Sequence, residues 1–294
     1  MTLTSPAERI DQLRLDRSHG GSWLARHAVE TLVQEAASPA ATAEELLDQL
    51  VGLARQLTQA RPDAGSVAAA TGRLIASVSH GWELSANELR RLVLEEARAI
   101  LDARDRAARA IAIQLRPRLE ESVVLTHSAS ATVREAVLRT PPARLVCTAC
   151  PPDDEGRAFV EELRGEGLNV ELVADAEAPR AAKGVRLVLV GADTVYRDGT
   201  LANRRGTFAI AQAAASARVP VVVAAEVIKL APFGAPAEPA DPERADLTPP
   251  ELITEYVTED GALPPTEIAT LVDRTPFLRE GYELIGAVGV IPTA

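Results

Sequence analysis

The chain has 294 residues, of which 47% are hydrophobic and only 3% aromatic, and its formal net charge is −11. That length supplies a core for one large domain or two ordinary ones, packed from Ala, Val and Leu rather than from rings. The acidic balance argues against direct nucleic-acid binding, which uses a basic face, and no apolar run approaches the ~18 residues of a membrane-spanning helix.

The opening stretch MTLTSPAERIDQLRLDR is charged and has no apolar signal-peptide centre, so the expected location is the cytoplasm, with reduced thiols. Residues 1–116 then read as a helical domain. Ile10, Leu13 and Leu15 begin a first short helix, and residues 20–37 form a second. Thr42 and Glu45 stand at capping-box spacing ahead of Leu46, Leu47, Leu50, Leu53 and Leu57, which recur at helical intervals. A second such box, Ser85 and Glu88, opens a helix of about 30 residues, long for a globular protein.

After Arg116-Pro117 the rhythm changes. Apolar runs SVVLT (122–126), ARLVCTA (143–149), NVELVA (169–174), VRLVLVGA (185–192) and VPVVVAA (219–225) alternate with helical stretches. Continuous rather than alternating apolar runs predict strands buried on both faces, and strands separated by helices predict a parallel sheet. The expected architecture is α/β: an N-terminal helical domain plus a C-terminal Rossmann-like parallel-sheet domain over 117–294. A ligand cleft is expected at the carboxyl ends of the strands, where the domains meet.

Chemistry is therefore sought at the strand ends. VLTHSASATV holds His127, Ser128 and Ser130. Adjacent residues do not hold the geometry of a Ser–His pair, and Ser130 or Thr132 is expected to cap the next helix. Cys147 reads as a core residue, while Cys150 is nearer a strand end and able to face the cleft. A lone CxxC lacks the second half of a zinc site, so neither metal nor cofactor is expected. Asp193 follows a buried run, which suits either a general acid/base or a carboxylate capping local backbone. Asp198-Gly199 predicts a hairpin turn. Asn203, Arg204, Arg205, Gly206 and Thr207 lead into a helix start that either holds an anion or is a solvated basic turn. Glu226 and Lys229 follow the most apolar strand, and lysine occurs at only one other position, 183.

LTHSASATV, VGADTVYRDGTLANRRGTFAIAQAA, VVVAAEVIKLAP and DLTPPELITEYVTEDGALPP, in this order and spacing, resemble a superfamily. It contains the alpha, beta and delta subunits of eukaryotic translation initiation factor 2B and two sugar-phosphate isomerases, of ribose 1,5-bisphosphate and of 5-methylthioribose 1-phosphate. The weaker matches HGGSWLA and ARPDAGSV extend the resemblance over most of the chain. It implies a sugar-phosphate or nucleotide site between the domains, lined by His19, Gly20, Gly21, Arg61, His127, Ser130, Asn203, Arg204, Glu226 and Lys229. It also implies a homo-oligomer, a dimer or larger, and a translation-factor partner. Isomerases of this family use the aspartate matching Asp193 and a cysteine at the position of Ser128 as acid and base.

The chain departs from the isomerase pattern in several places. Ser128 replaces the thiol, and an alcohol holds its proton more tightly. Ala149-Cys150-Pro151 stands where isomerases carry an acidic residue and a phosphate-clamping arginine, Arg204 stands where the family has lysine, and the loop between Lys229 and Thr248 is short. The leading expectation is a regulatory, non-catalytic protein that binds a sugar phosphate or nucleotide. The alternative is an aldose–ketose isomerase of a phosphorylated pentose, of the ribose 1,5-bisphosphate to ribulose 1,5-bisphosphate type, using Asp193. A structural scaffold is the third reading.

Overall fold

A computed structural model describes residues 5–17, 19–151 and 154–287. Side-chain caps set where the helices begin. Ser5 starts α1 (Pro6–Leu15) and Ser85 starts α5 (Ala86–Leu119), each in a reciprocal capping box with the glutamate three residues on. Thr42 caps α3 (Ala43–Ala60) through the Glu45 amide. Between them, α2 (Gly21–Ala36) and α4 (Gly65–Val78) complete the helical layer. The expected domain boundary at 116 falls inside α5, which runs for 34 residues and continues through Pro117. Pro117 lies in the last turn, and Ile113, whose carbonyl loses its N–H partner there, is on the exposed side of the helix.

The remaining chain alternates strand and helix: β1 (Val123–Thr126), α6 (Ala131–Arg139), β2 (Arg144–Thr148), α7 (Glu155–Gly165), β3 (Val170–Val173), the short α8 (Ala178–Ala181) and β4 (Leu187–Val190). It continues through β5 (Thr194–Tyr196), β6 (Leu201–Arg204), α9 (Thr207–Ser216), β7 (Val221–Ala224), β8 (Leu230–Ala231), β9 (Ala245–Thr248), β10 (Glu255–Thr258), β11 (Gly261–Leu263), α10 (Ile268–Asp273) and α11 (Pro276–Leu284). The main sheet has seven strands in the order β11-β10-β7-β4-β1-β2-β3, all parallel except the β10–β11 pair.

The continuous apolar runs are explained by two cores. Val124, Leu187, Leu189, Val222 and Ala224 point into one, with α6, α7 and the C-terminal half of α5. Leu125, Val188, Val190, Val221 and Val223 point into the other, shared with α9 and the N-terminal helices. Successive strand residues face opposite sides, so a strand between two cores has no polar face to offer.

Two features lay outside the sequence expectation. A second, four-stranded sheet, β8-β5-β6-β9, is built around the hairpin at Asp198-Gly199. The C-terminal α11 also returns to the helical layer and packs on α4, where a Cβ on Gly72 would come within 2.8 Å of the Gly281 carbonyl carbon. Among the described residues no helix is long and apolar enough to cross a membrane.

Candidate functional site

Chain order reverses direction about β1, which lies between β2 and β4. Loops leaving β1 and β4 therefore part to opposite sides and leave a crevice, the usual ligand position in such sheets. Gly191, after β4, lets the two loops touch: a Cβ there would lie 2.3 Å from Ser130 Oγ. The N-terminus of α2 covers the crevice and closes a cavity of about 250 Å³.

Most of the expected residues line this one cavity: His19, Gly20, Gly21, His127, Ser128, Ser130, Asp193, Asn203, Arg204 and Lys229. Ser130 caps α6 through the Val133 amide at 3.4 Å, as expected. Trp23 and Phe159 supply apolar wall, and His19 stacks on Trp23 at 4.1 Å between ring centroids. Gly20 heads α2 without any side-chain cap, so the first amides of that helix remain available to an anion.

His127 is held rather than free. Its Nε2 lies 2.9 Å from the Arg205 carbonyl, which only an N–H can satisfy, so Nδ1 accepts from the Thr148 hydroxyl at 2.6 Å. Burial lowers its basicity and keeps it neutral. A cluster of His127, Cys150 and Asp175 puts three potential ligand atoms within 4.8 Å. Both imidazole nitrogens are already engaged, and burial pushes the Cys150 thiol up to about 11 and that of Cys147 up to about 12. As placed, these groups hydrogen-bond and do not form a ligand set. Cys150 lines the neighbouring cavity with Asp175, Arg205 and Arg244, not the one that contains Asp193.

Ser128 has a left-handed backbone, φ 59°, and its Oγ donates to Glu155 Oε2 at 2.8 Å. Glu155 in turn receives both Nη2 and Nε of Arg204, at 2.6 and 3.2 Å. Burial alone would lower the Arg204 guanidinium, but Asp193 and Glu155 hold it above its ordinary range. Glu155 is the residue that sequence reasoning missed. It lies in the run DDEG at the start of α7, just after the segment where comparison with isomerases registers the loss of an acidic residue and of a phosphate-clamping arginine.

Three of the expected groups are engaged by protein partners instead. The start of α9 does not await an anion, because Asp246 on β9 already caps it, accepting from Gly206 N at 2.7 Å and Phe208 N at 3.2 Å. Glu226 lies outside the cavity and stitches the layers together. It accepts from Ser22 of α2 at 3.3 Å and Thr132 of α6 at 3.2 Å, and pairs with Arg104 of α5 at 3.2 Å. Although burial opposes it, Arg104 and Lys229 keep the Glu226 carboxyl below the usual range. Arg61 is also outside; it chelates Asp63 at 3.0 and 2.9 Å and donates to the Asp16 carbonyl, whose side chain accepts from the His19 amide.

Two ionic groups facing the cavity make no side-chain hydrogen bond or close ion pair among the described residues, although Asp193 acts on Arg204 and Lys229 on Glu226 through space. The Asp193 carboxylate makes no hydrogen bond or ion pair, only its backbone N–H bonding to Ala202 O. The Lys229 ammonium, buried at 4% exposure, makes none either. A small cleft that brings a carboxylate, an ammonium and an uncapped helix start together suits an anionic, polyhydroxylated ligand whose protons can be moved.

The pattern of the Initiation factor 2 subunit family matches residues 17–238. The chain is 30% identical over 292 residues to ribose 1,5-bisphosphate isomerase of Archaeoglobus fulgidus, covering 90% of this chain and 91% of that one. The crystal structure of Pyrococcus horikoshii OT3 translation initiation factor eIF-2B superposes with a TM-score of 0.77 at 24% identity, covering 88% of this chain and 97% of that one. That of 5-methylthioribose 1-phosphate isomerase from the same organism gives 0.72 at 23% identity, covering 97% and 88%. At these identities the two structures speak for the fold alone. The match over 17–238 carries the assignment: the chain belongs to the Initiation factor 2 subunit family.

Proposed function

We propose that this protein is an aldose–ketose isomerase of a phosphorylated pentose. The observation that carries the proposal is the Asp193 carboxylate, free of any side-chain hydrogen bond, inside the cavity that also presents the Lys229 ammonium. The similarity to ribose 1,5-bisphosphate isomerase of Archaeoglobus fulgidus, over 90% of this chain, supports the same reading. In a pentose phosphorylated at C1 the ring C1–O4 bond breaks as O4 takes a proton, C2 loses its proton to leave an enol phosphate between C1 and C2, and a proton is delivered to C1 while the C2 hydroxyl gives up its own and becomes the ketone. Nothing is oxidised overall, so the chemistry needs no redox cofactor. Asp193 takes and returns the carbon-bound proton. Lys229 and the first amides of α2 bind the phosphate. Ser128, whose own hydrogen goes to Glu155, offers lone pairs that orient a substrate hydroxyl.

Incubation with ribose 1,5-bisphosphate and with 5-methylthioribose 1-phosphate, followed by NMR, tests this. Conversion of either supports the proposal, and no turnover of either at high enzyme concentration refutes it. Asp193→Asn should lower any turnover by at least ~100-fold while leaving the fold intact.

A second reading, a regulatory protein that binds a sugar phosphate or nucleotide without turnover, is favoured by Ser128 at the thiol position and by the commitment of Arg204 to Glu155. It predicts ligand-dependent thermal stabilisation by mass action with no product. Either reading includes a homo-oligomer, checked by light scattering of the eluting protein. A translation-factor partner belongs to the second.

A further inference from the structure

The 3-10 turn Val227–Lys229 separates two cavities. Lys229 faces the one described above; Val227 and Ile228 face another, of about 330 Å³, between α4, α5, the β10–β11 turn and the α10–α11 junction. Three arginines line it. Arg104 is committed to Glu226. Arg73 lies over the Phe277 ring at 4.9 Å and, among the described residues, has no ion pair or hydrogen bond from its guanidinium. Arg274 has none either, its only bond being from the backbone N–H to Thr270 O.

Neither of the other two acids in this cavity makes an ion pair with Arg73 or Arg274. Glu259 accepts from the Val227 amide at 2.9 Å, and burial together with Glu226 and Asp260 pushes it up to about 7. Asp260 is exposed. Burial holds the Arg73 guanidinium below its usual range, with Glu96 and Glu259 acting against this and Arg106 with it. A half-buried guanidinium with no hydrogen-bonded or ion-paired partner among the described residues is costly to keep, and a bound anion would offset that cost.

We propose that this cavity is a second anion site, distinct from the Asp193 cavity, that takes a phosphate group on Arg73 and Arg274 with Phe277 as its apolar wall. Free phosphate and a phosphate monoester share this chemistry. The site adjoins the first through the turn that carries Lys229 and through Glu226, which bonds to Ser22 and Thr132 beside the first cavity.

Calorimetric titration with inorganic phosphate tests the proposal, with ribose 5-phosphate as the monoester arm. The expected result is a binding event that survives in Lys229→Ala and Asp193→Asn and weakens at least tenfold in Arg73→Gln and in Arg274→Ala. Arg274 is exposed, so its replacement leaves folding intact and keeps the test decisive if the Arg73 variant is unstable. Phosphate binding unchanged in Arg274→Ala, or weaker than about 10 mM in the wild type, overturns it. Loss of turnover without change in this binding, or the reverse, separates this site from the isomerase reading.

Discussion

At the scale of residues, the site is a chain of charges. Asp193 acts on Arg204, Arg204 grips Glu155, and Glu155 takes the hydrogen of Ser128. A buried guanidinium that loses its carboxylate keeps the whole desolvation cost. Glu155→Ala should therefore lower unfolding stability by about 3–5 kcal/mol in urea titrations. A loss under about 1 kcal/mol would show that Arg204 finds other partners. Ser128→Cys restores a thiol where isomerases of the resembling family keep one and should raise turnover rather than lower it. Asp193 stood out in the sequence as a carboxylate just past an apolar run, and Lys229 as one of only two lysines, and both line the cavity. Glu155 and Asp246 were not, because their partners lie 49 and 38 to 40 residues away. Glu226 and Arg61 have the right residue types and neighbourhood, yet each meets a protein partner before it reaches the cavity.

At the scale of elements, two glycines in similar helical settings should respond with opposite sign. Gly52 lies inside α3 with nothing within 4 Å of an added Cβ, whereas Gly72 in α4 abuts the backbone of α11 at 2.8 Å. Gly52→Ala should stabilise by roughly 0.5–1 kcal/mol, through helix propensity and a stiffer unfolded chain. Gly72→Ala should destabilise by roughly 1–3 kcal/mol through overpacking. Equal effects would mean that α11 does not sit against α4. The caps of α1, α3 and α5 were readable from Ser5, Thr42 and Ser85 because capping depends on residues three apart. The α11–α4 contact was unreadable because it joins positions more than two hundred apart through an absence of side chain.

At the scale of the whole molecule, VVLT, LVLV and VVVA read as doubly buried strands because each feeds two cores at once, and that reading carried the parallel sheet. The four-stranded sheet was hidden, since its short strands lack any long apolar run. The expected division at 116 overstated the separation of the halves: α5 passes through it, and one core joins the helical layer to the sheet. Stability also depends on pH at this scale. Glu259 binds its proton more tightly in the fold, at about 7, than its ordinary 4.5. The folded state then holds more protons than the unfolded one between those values, so this group's contribution is complete below about 4.5 and is lost as pH rises through 7. His127, kept neutral by burial, acts the other way below its usual 6.5. The difference between wild type and Glu259→Gln isolates the first effect: between about pH 5.5 and about pH 8.5, which spans the Glu259 titration, the variant should lose less melting temperature. An identical decline in both would contradict the burial of Glu259.

The most direct measurement of the central claim is NMR of ribose 1,5-bisphosphate or 5-methylthioribose 1-phosphate turned over in deuterated water, by the wild type and by Asp193→Asn. The account predicts a ketose product from the wild type, with solvent deuterium entering at the carbon that receives the proton, and neither product nor exchange from Asp193→Asn. Product formed equally well by Asp193→Asn, or no product from the wild type with either sugar, would contradict it.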